Sequence, residues 1–266
     1  MGCLPSGIGD KAMKTGLVSV TFRKLTIKEI IELAKENSLK SIEWGSTPHI
    51  DAGEVKLARK VRSLMHGAGL TCESYGSYYG ILYRKGVHKP YPFKKLCKTA
   101  VALGAKTIRI WPGFPGMHPY SEEDIRKAVA HTREICNIAK KYGLTLSMEC
   151  HFWTLTENYK NSLDFIKRVG CDNLKIYWQP NPYESKEYNL EAAKALLPYV
   201  TNVHVCHWIE QNKKPLREGL EDWKEYFEVL KTDDDRVFML EFMHDGNPES
   251  LPETAKTLHE IMGTEK

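Results

Sequence analysis

The chain has 266 residues, of which 42% are hydrophobic and 27% charged, with a formal net charge of +4. That length suits one large α/β barrel as well as two small domains, and no apolar run approaches the ~18 residues that a membrane-spanning helix needs. So small a positive excess, spread over lysines such as Lys94, Lys95 and Lys98, argues against a nucleic-acid partner.

Seven cysteines, at positions 3, 72, 97, 136, 150, 171 and 206, show neither CxxC spacing nor a disulfide framework. They are expected as reduced thiols, which fits a cytoplasmic protein. Residues 1–15 lack periodicity and an apolar signal core, so they are expected as a flexible leader before one domain spanning 16–266.

From Gly16 the chain alternates β-rich runs with amphipathic helices. Leu17 to Phe22 is the first expected strand, and Thr26 with Glu29 forms a capping box that opens a helix through about Asn37. Ser41 to Trp44 is the second strand, a helix runs from about Gly53 to His66, and Leu70 to Tyr75 is the third strand. The Gly- and Tyr-rich tract that follows, to Pro92, has the length of an active-site lid. Pro92 begins a helix, Lys106 to Trp111 is the fourth strand, and Ser121 caps a helix that ends at Gly143. Leu144 to Glu149 is the fifth strand and Asn161 to Val169 a helix. Leu174 to Trp178, Asn202 to Cys206 and Arg236 to Leu240 are strands six, seven and eight. Helices at Leu190 to Leu197, Glu221 to Leu230 and Pro252 to Met262 complete the pattern, with a loop from Glu210 to Arg217.

Eight strand-then-helix units without a composition break predict a single closed (β/α)8 TIM barrel, with the active site at the C-terminal ends of the strands. A doubly wound open sheet needs a Gly-rich phosphate turn after its first strand. Arg23-Lys24-Leu25-Thr26 cannot supply one.

In such a barrel the strand ends converge on one mouth. Those ends carry Glu43 and Trp44, Tyr75, Arg109 and Trp111, Glu149 with His151 and Trp153, Trp178 with Asn181, His204 with His207 and Trp208, and Glu241. Five of the six tryptophans lie at or just past a strand end, where an indole offers a flat apolar face to a sugar. Glu149, His204 and Glu241 make a three-ligand set with open positions. Hard oxygen donors with one nitrogen suit Mn²⁺, Mg²⁺ or Co²⁺.

The segments SIEWG around residue 43, ESYGSYY at 73–79, TIRIW at 107–111, MECH at 148–151, YWQPN at 177–181, NVHV at 202–205 and MLEF at 239–242 stand in an order that resembles the xylose-isomerase-like barrel superfamily. The resemblance runs from Leu17 to about Met262. It implies a divalent metal, Mn²⁺ first with Zn²⁺ as another substitute, held by Glu149, His204 and Glu241 and by a fourth ligand on strand six. Relatives place an Asp there; this chain has Gln179, whose amide oxygen is a legitimate but neutral ligand.

The expected reaction is isomerisation or epimerisation of a small carbohydrate, phosphorylated or not, by proton transfer next to a carbonyl, with Glu149 and Glu241 as acid and base. Glu43, Trp44, Tyr75, Arg109, Trp111, His151, Trp178, Asn181 and His207 are the expected substrate contacts, and an anionic group would fall to Arg109 or Arg84. A non-catalytic sugar-binding barrel that has lost its metal and a polyol dehydratase are the alternatives. DNA cleavage of the endonuclease IV type is disfavoured, because its Asp-x-x-His and Asp-x-His ligand pairs are absent after strands six and seven. Self-association into a homodimer or homotetramer is compatible with the sequence.

Overall fold

The alternation of short β-branched and aromatic runs with capped amphipathic segments closes into a ring of parallel strands in the computed structural model, which describes residues 13–82, 92–113, 120–232 and 236–264. The strands are β1 (Lys14–Val18), β2 (Ser41–Gly45), β3 (Ser74–Gly80), β4 (Thr107–Trp111), β5 (Thr145–Glu149), β6 (Leu174–Trp178) and β7 (Val200–Val205). A separate antiparallel hairpin of β8 (His207–Ile209) and β9 (Asn212–Lys214) follows, and β10 (Val237–Leu240) closes the barrel between β7 and β1. The helices α1 (Ile27–Glu36), α2 (Val55–Gly67), α3 (Phe93–Leu103), α4 (Glu122–Lys140), α5 (Tyr159–Val169), α6 (Lys186–Leu196), α7 (Leu220–Leu230) and α8 (Leu251–Ile261) surround it. No helix among the described residues is long and apolar enough to cross a membrane. Most of the leader, the middle of the expected lid and Arg84 lie outside the described residues.

Local chemistry sets the helix ends. Thr26 and Glu29 make the reciprocal capping box of α1, and Ser121 with Asp124 does the same for α4. Gly104 and Gly170 end α3 and α5 in the left-handed conformation, with φ of 82° and 65°.

Three stretches differ from the sequence expectation. The first strand begins at Lys14 and stops at Val18, after which Ser19–Phe22 winds into a 3-10 turn. The third strand lies at Ser74–Gly80, so Leu70 to Glu73 is lead-in and part of the expected lid is sheet. Its pairing with β4 starts at Ser74↔Thr107, whereas Thr71 makes only an isolated bridge to Ser41. The β8–β9 hairpin replaces an expected loop, with register His207↔Lys214 and Ile209↔Asn212. Its two-residue turn is Glu210-Gln211, with Glu210 at φ 54°, and it lacks the Asn-Gly or Asp-Gly pair that usually announces such a turn.

Period-two alternation sorts the apolar residues into two unequal cores. The larger fills the layer between strands and helices, with Leu17, Ile42, Ile108, Leu146, Ile176 and Val203 all fully buried there. Inside the ring, Val18, Val20, Val237 and Met239 form a small separate cluster. The register places Val18 beside Glu43, Gly76 beside Arg109, Glu149 beside Tyr177, and His204 beside Met239. Barrels of this kind usually fill the ring with branched aliphatic side chains. Here the inner face is largely polar, and buried polar groups persist only when paired.

Gly76 belongs to that inner face. A Cβ at this position would stand 2.5 Å from Glu43 Oε1 and 2.9 Å from Arg109 Nη2. Gly76→Ala is therefore expected to destabilise the protein by about 2 to 4 kcal/mol, through overpacking and displacement of a buried ion pair, measured by urea unfolding against the parent.

Candidate metal centre at the barrel mouth

Inward-facing positions near the strand ends bring together Glu43 of β2, Arg109 of β4, Glu149 of β5 and His204 of β7. Glu241, one residue past β10, extends that ladder by donating its N–H to Val205 O. All five are at most 5% exposed. Arg109 joins two of the carboxylates: Nε donates to Glu43 Oε1 at 2.9 Å and Nη1 donates to Glu149 Oε2. Ser74 Oγ donates to the other oxygen of Glu43 at 2.7 Å. Burial by itself would raise the pKa of both acids. The guanidinium and the His204 imidazole together outweigh it, holding Glu149 down at about 2 and Glu43 far below the usual carboxylate range.

The second oxygen of Glu149 faces His204. Nδ1 of that imidazole lies 3.2 Å from Glu241 Oε2 and 3.8 Å from Glu149 Oε1, and Nε2 lies 3.7 Å from Glu43 Oε1. Neither ring nitrogen makes a hydrogen bond among the described residues. Desolvation pushes the imidazole toward its neutral form, yet the carboxylates around it, Glu241 foremost, hold its pKa well above the ordinary value.

One ligand atom each from Glu149, His204 and Glu241 lie within 4.8 Å of one another. Donors that share an ion at about 2.1 Å stand roughly 3 to 4 Å apart, so a small contraction seats one. Charge points the same way. Glu43, Glu149 and Glu241 against Arg109 leave a buried negative excess of two once His204 gives up its proton to act as a ligand, and a divalent cation would cancel that excess. Glu43, 3.7 Å from Nε2, stands on the far side of the imidazole, where its charge would favour a proton on Nε2 and leave Nδ1 free for an ion.

Gln179 follows β6 and lines the same cavity. Its Nε2 donates to Cys150 O at 2.7 Å, which occupies the amide nitrogen and leaves Oε1 as the end available to a ligand. The cavity, about 440 Å³, starts at Glu149 and Glu241 and runs outward past His151, Asn181 and His207 between α6 and α7. His151 Nδ1 shares a hydrogen bond with Phe152 O at 2.8 Å, and its ring sits 4.9 Å from that of Trp111. His207 is half-buried on β8, where desolvation lowers its pKa. Asn181 lines the wall, with its amide engaged by the loops after β5 and β6: Nδ2 donates to Glu157 O and Oδ1 accepts from Tyr183 N.

Three expected substrate contacts do not reach the mouth. Trp44 points between β2 and α2, where Nε1 donates to Met65 Sδ at 2.9 Å. Tyr75 donates its hydroxyl to Ile50 O at 2.6 Å, and Trp178 packs edge-on against Trp223 and Tyr226 of α7. Each is one position out of phase with an inward residue, so alternation turns it into the outer core. Glu43 and Arg109 do face inward but lie buried beneath the donors, where they support them. Tyr177 belongs to the site although the strand-end pattern does not single it out. Its ring lies 4.9 Å from that of His204 and its hydroxyl accepts from Asn202 Nδ2 at 2.9 Å. The signal that finds it is parity: it stands directly across from Glu149 on the neighbouring strand.

A family model described as xylose isomerase-like TIM barrel matches residues 31–261, and the chain belongs to that family. A 3-dehydroshikimate dehydratase of Bacillus anthracis is 22% identical over 274 residues, covering 92% of this chain and 96% of that protein. The structure of D-psicose 3-epimerase with D-tagatose from Clostridium cellulolyticum H10 superposes with a TM-score of 0.73 at 16% identity, over 95% of this chain and 99% of that one. The IOLI protein with a bound zinc atom gives 0.75 at 16% identity, over 94% and 98%. These structural likenesses are of fold.

Arg109→Met would leave Glu43 and Glu149 buried without their cation. A loss of about 3 to 5 kcal/mol in unfolding free energy is expected. Acid should act through the same pair. Glu149 has a folded pKa of about 2 against an ordinary 4.5, so its contribution is complete above 4.5 and disappears as pH falls toward 2. Urea midpoints measured across that window should drop steeply in the parent and less in Arg109→Met.

Proposed function

We propose that this chain is a divalent-metal-dependent isomerase or epimerase acting on a small carbohydrate by proton transfer next to a carbonyl. The observation that carries it is the convergence of buried Glu149, His204 and Glu241 ligand atoms within 4.8 Å, with the two carboxylates lining a cavity. The same fold carries an epimerase and a dehydratase among the relatives, so the donor set has to make the choice. Two carboxylates flanking one nitrogen donor suit abstraction and return of a carbon-bound proton.

Glu149, His204 and Glu241 would hold the ion, with Gln179 Oε1 as the fourth ligand. Mn²⁺ fits this oxygen-rich set best, ahead of Mg²⁺, Co²⁺ or Zn²⁺. When bound, the ion supplies Lewis acidity toward a substrate carbonyl and its neighbouring hydroxyl. The protein residues divide the remaining work. Arg109 keeps Glu149 ionised and fixed by one oxygen. Among the described residues no guanidinium or ammonium lies within salt-bridge distance of Glu241, which is the freer of the two to take up the substrate proton. Glu149, ionised at rest, inverts the carbon when it relays a solvent proton to the opposite face while Glu241 gives its proton up to solvent; return by Glu241 to the adjacent carbon gives the aldose–ketose shift. His151 and Trp111, whose rings pack at a tilt 4.9 Å apart, would orient the sugar.

Incubation in deuterated water with a panel of ketoses and Mn²⁺ tests this directly. Deuterium incorporation next to the carbonyl of at least one sugar is expected. It should fall about 1,000-fold in Glu241→Gln and disappear on chelation, with metal content reduced in Glu149→Gln. No incorporation across the panel, or incorporation indifferent to chelation and to Glu241→Gln, rules the proposal out.

A further inference from the structure

The loops after β5 and β6 carry an aromatic cluster that the proposed chemistry does not use. Phe152 meets Trp153 edge-on at 5.0 Å and Tyr183 at 5.3 Å, and Trp153 lies 5.6 Å from Tyr183 with their planes tilted by 37°. Trp153 is 44% exposed and Tyr183 40% exposed, whereas Trp44, Trp178 and Trp223 are at most 1% exposed. The exposure is held in place. Trp153 has a left-handed φ of 59°, uncommon for a bulky side chain, and its backbone N–H donates to Glu157 Oε2 at 2.8 Å. Asn189 fixes the neighbouring loop, its Oδ1 accepting from Asn181 N and its Nδ2 donating to the carbonyls of Asn181 and Ser185.

The cluster is continuous with the cavity of the metal centre: Phe152 lines it, as do Pro182 and Glu184 on either side of Tyr183. At about 440 Å³ that cavity is of the size that accepts a drug-sized ligand, which is more than one monosaccharide fills. Its outer wall bears Glu184, Glu218 and Asp222. The one described cation there, Lys186, lies 3.6 Å from Asp222 and 2.9 Å from Glu225. Such a wall repels phosphate or carboxylate and leaves a neutral group as its fitting occupant.

We propose that the substrate carries a second, uncharged ring beyond the sugar that reacts, and that Phe152, Trp153 and Tyr183 form the platform on which that ring stacks. The shared chemistry is a flat apolar face, offered equally by the C–H side of a glycosyl unit and by an aromatic aglycone. This rests on the carbohydrate reading above and deepens it.

Glycosides lack a free carbonyl and so bind without reacting, which separates this test from catalysis. Calorimetric titration of the Mn²⁺-loaded protein with the methyl glycosides, phenyl glycosides and methyl glycoside 6-phosphates of glucose, galactose and mannose, and with methyl glycosides of their disaccharides, would measure the platform. For at least one sugar, a two-ring probe should bind about 10-fold more tightly than the methyl glycoside, and the phosphate ester more weakly than either. Preference for the phenyl glycoside identifies an aglycone, and preference for the disaccharide a glycosyl unit. Trp153→Ala and Tyr183→Ala should each cut the two-ring advantage about fivefold, while Trp153→Phe restores most of it. Equal affinity for one-ring and two-ring probes, or an advantage that survives both alanine variants, overturns the proposal. A two-ring preference without deuterium incorporation into any ketose refutes the isomerase reading and upholds the platform; incorporation without the preference does the reverse.

Discussion

The guanidinium of Arg109 governs the interior of this barrel. Fully desolvated, it binds Glu43 on one side and Glu149 on the other, and Ser74 completes the shell of Glu43. Without it, carboxylates gathered at the top of a narrow ring would repel one another or take up protons, and neither state offers a hard cation its ligands. With it, Glu149 remains anionic and presents one oxygen to His204, while Glu43 stands behind the imidazole. The ion pair thus acts as a brace for the candidate donor set as well as a source of stability.

That brace also explains which strand residues must be small. Gly76 lies against the Glu43–Arg109 contact, where even a methyl group meets both partners. The adjacent Tyr75 and Trp44 are large because alternation sends them outward, into the layer under α2. One strand segment therefore satisfies two opposite steric demands at successive positions.

Much of this is legible in the amino-acid order. The Thr26–Glu29 and Ser121–Asp124 boxes, the glycines after α3 and α5, and the runs KTIRIW and LKIYW carry strong local signals, and the strand-helix alternation points to the barrel. Glu149, His204 and Glu241 are legible because a carboxylate or imidazole buried at the end of an apolar strand is costly unless a cation or a hydrogen-bonding partner meets it. Strand ends alone do not say which way a side chain faces. Trp44, Tyr75 and Trp178 therefore look like mouth residues beside their inward neighbours, and Tyr177, one position earlier on its strand, does not. The β8–β9 hairpin leaves no trace in the sequence because Glu210 adopts a left-handed turn conformation without glycine. The start of β3 is hidden because its limits depend on pairing with β4, a contact more than thirty residues away in sequence.

Separating the apolar mass from the inside of the ring has an evolutionary side. The large core between strands and helices holds the cylinder together, and the small cluster of Val18, Val20, Val237 and Met239 holds little beyond itself. Substitutions on the inward faces above that cluster can exchange one set of reactive groups for another while the outer packing stays intact. A scaffold partitioned in this way can diversify its chemistry at low structural risk, and relatives of one architecture can differ in the bond they act upon.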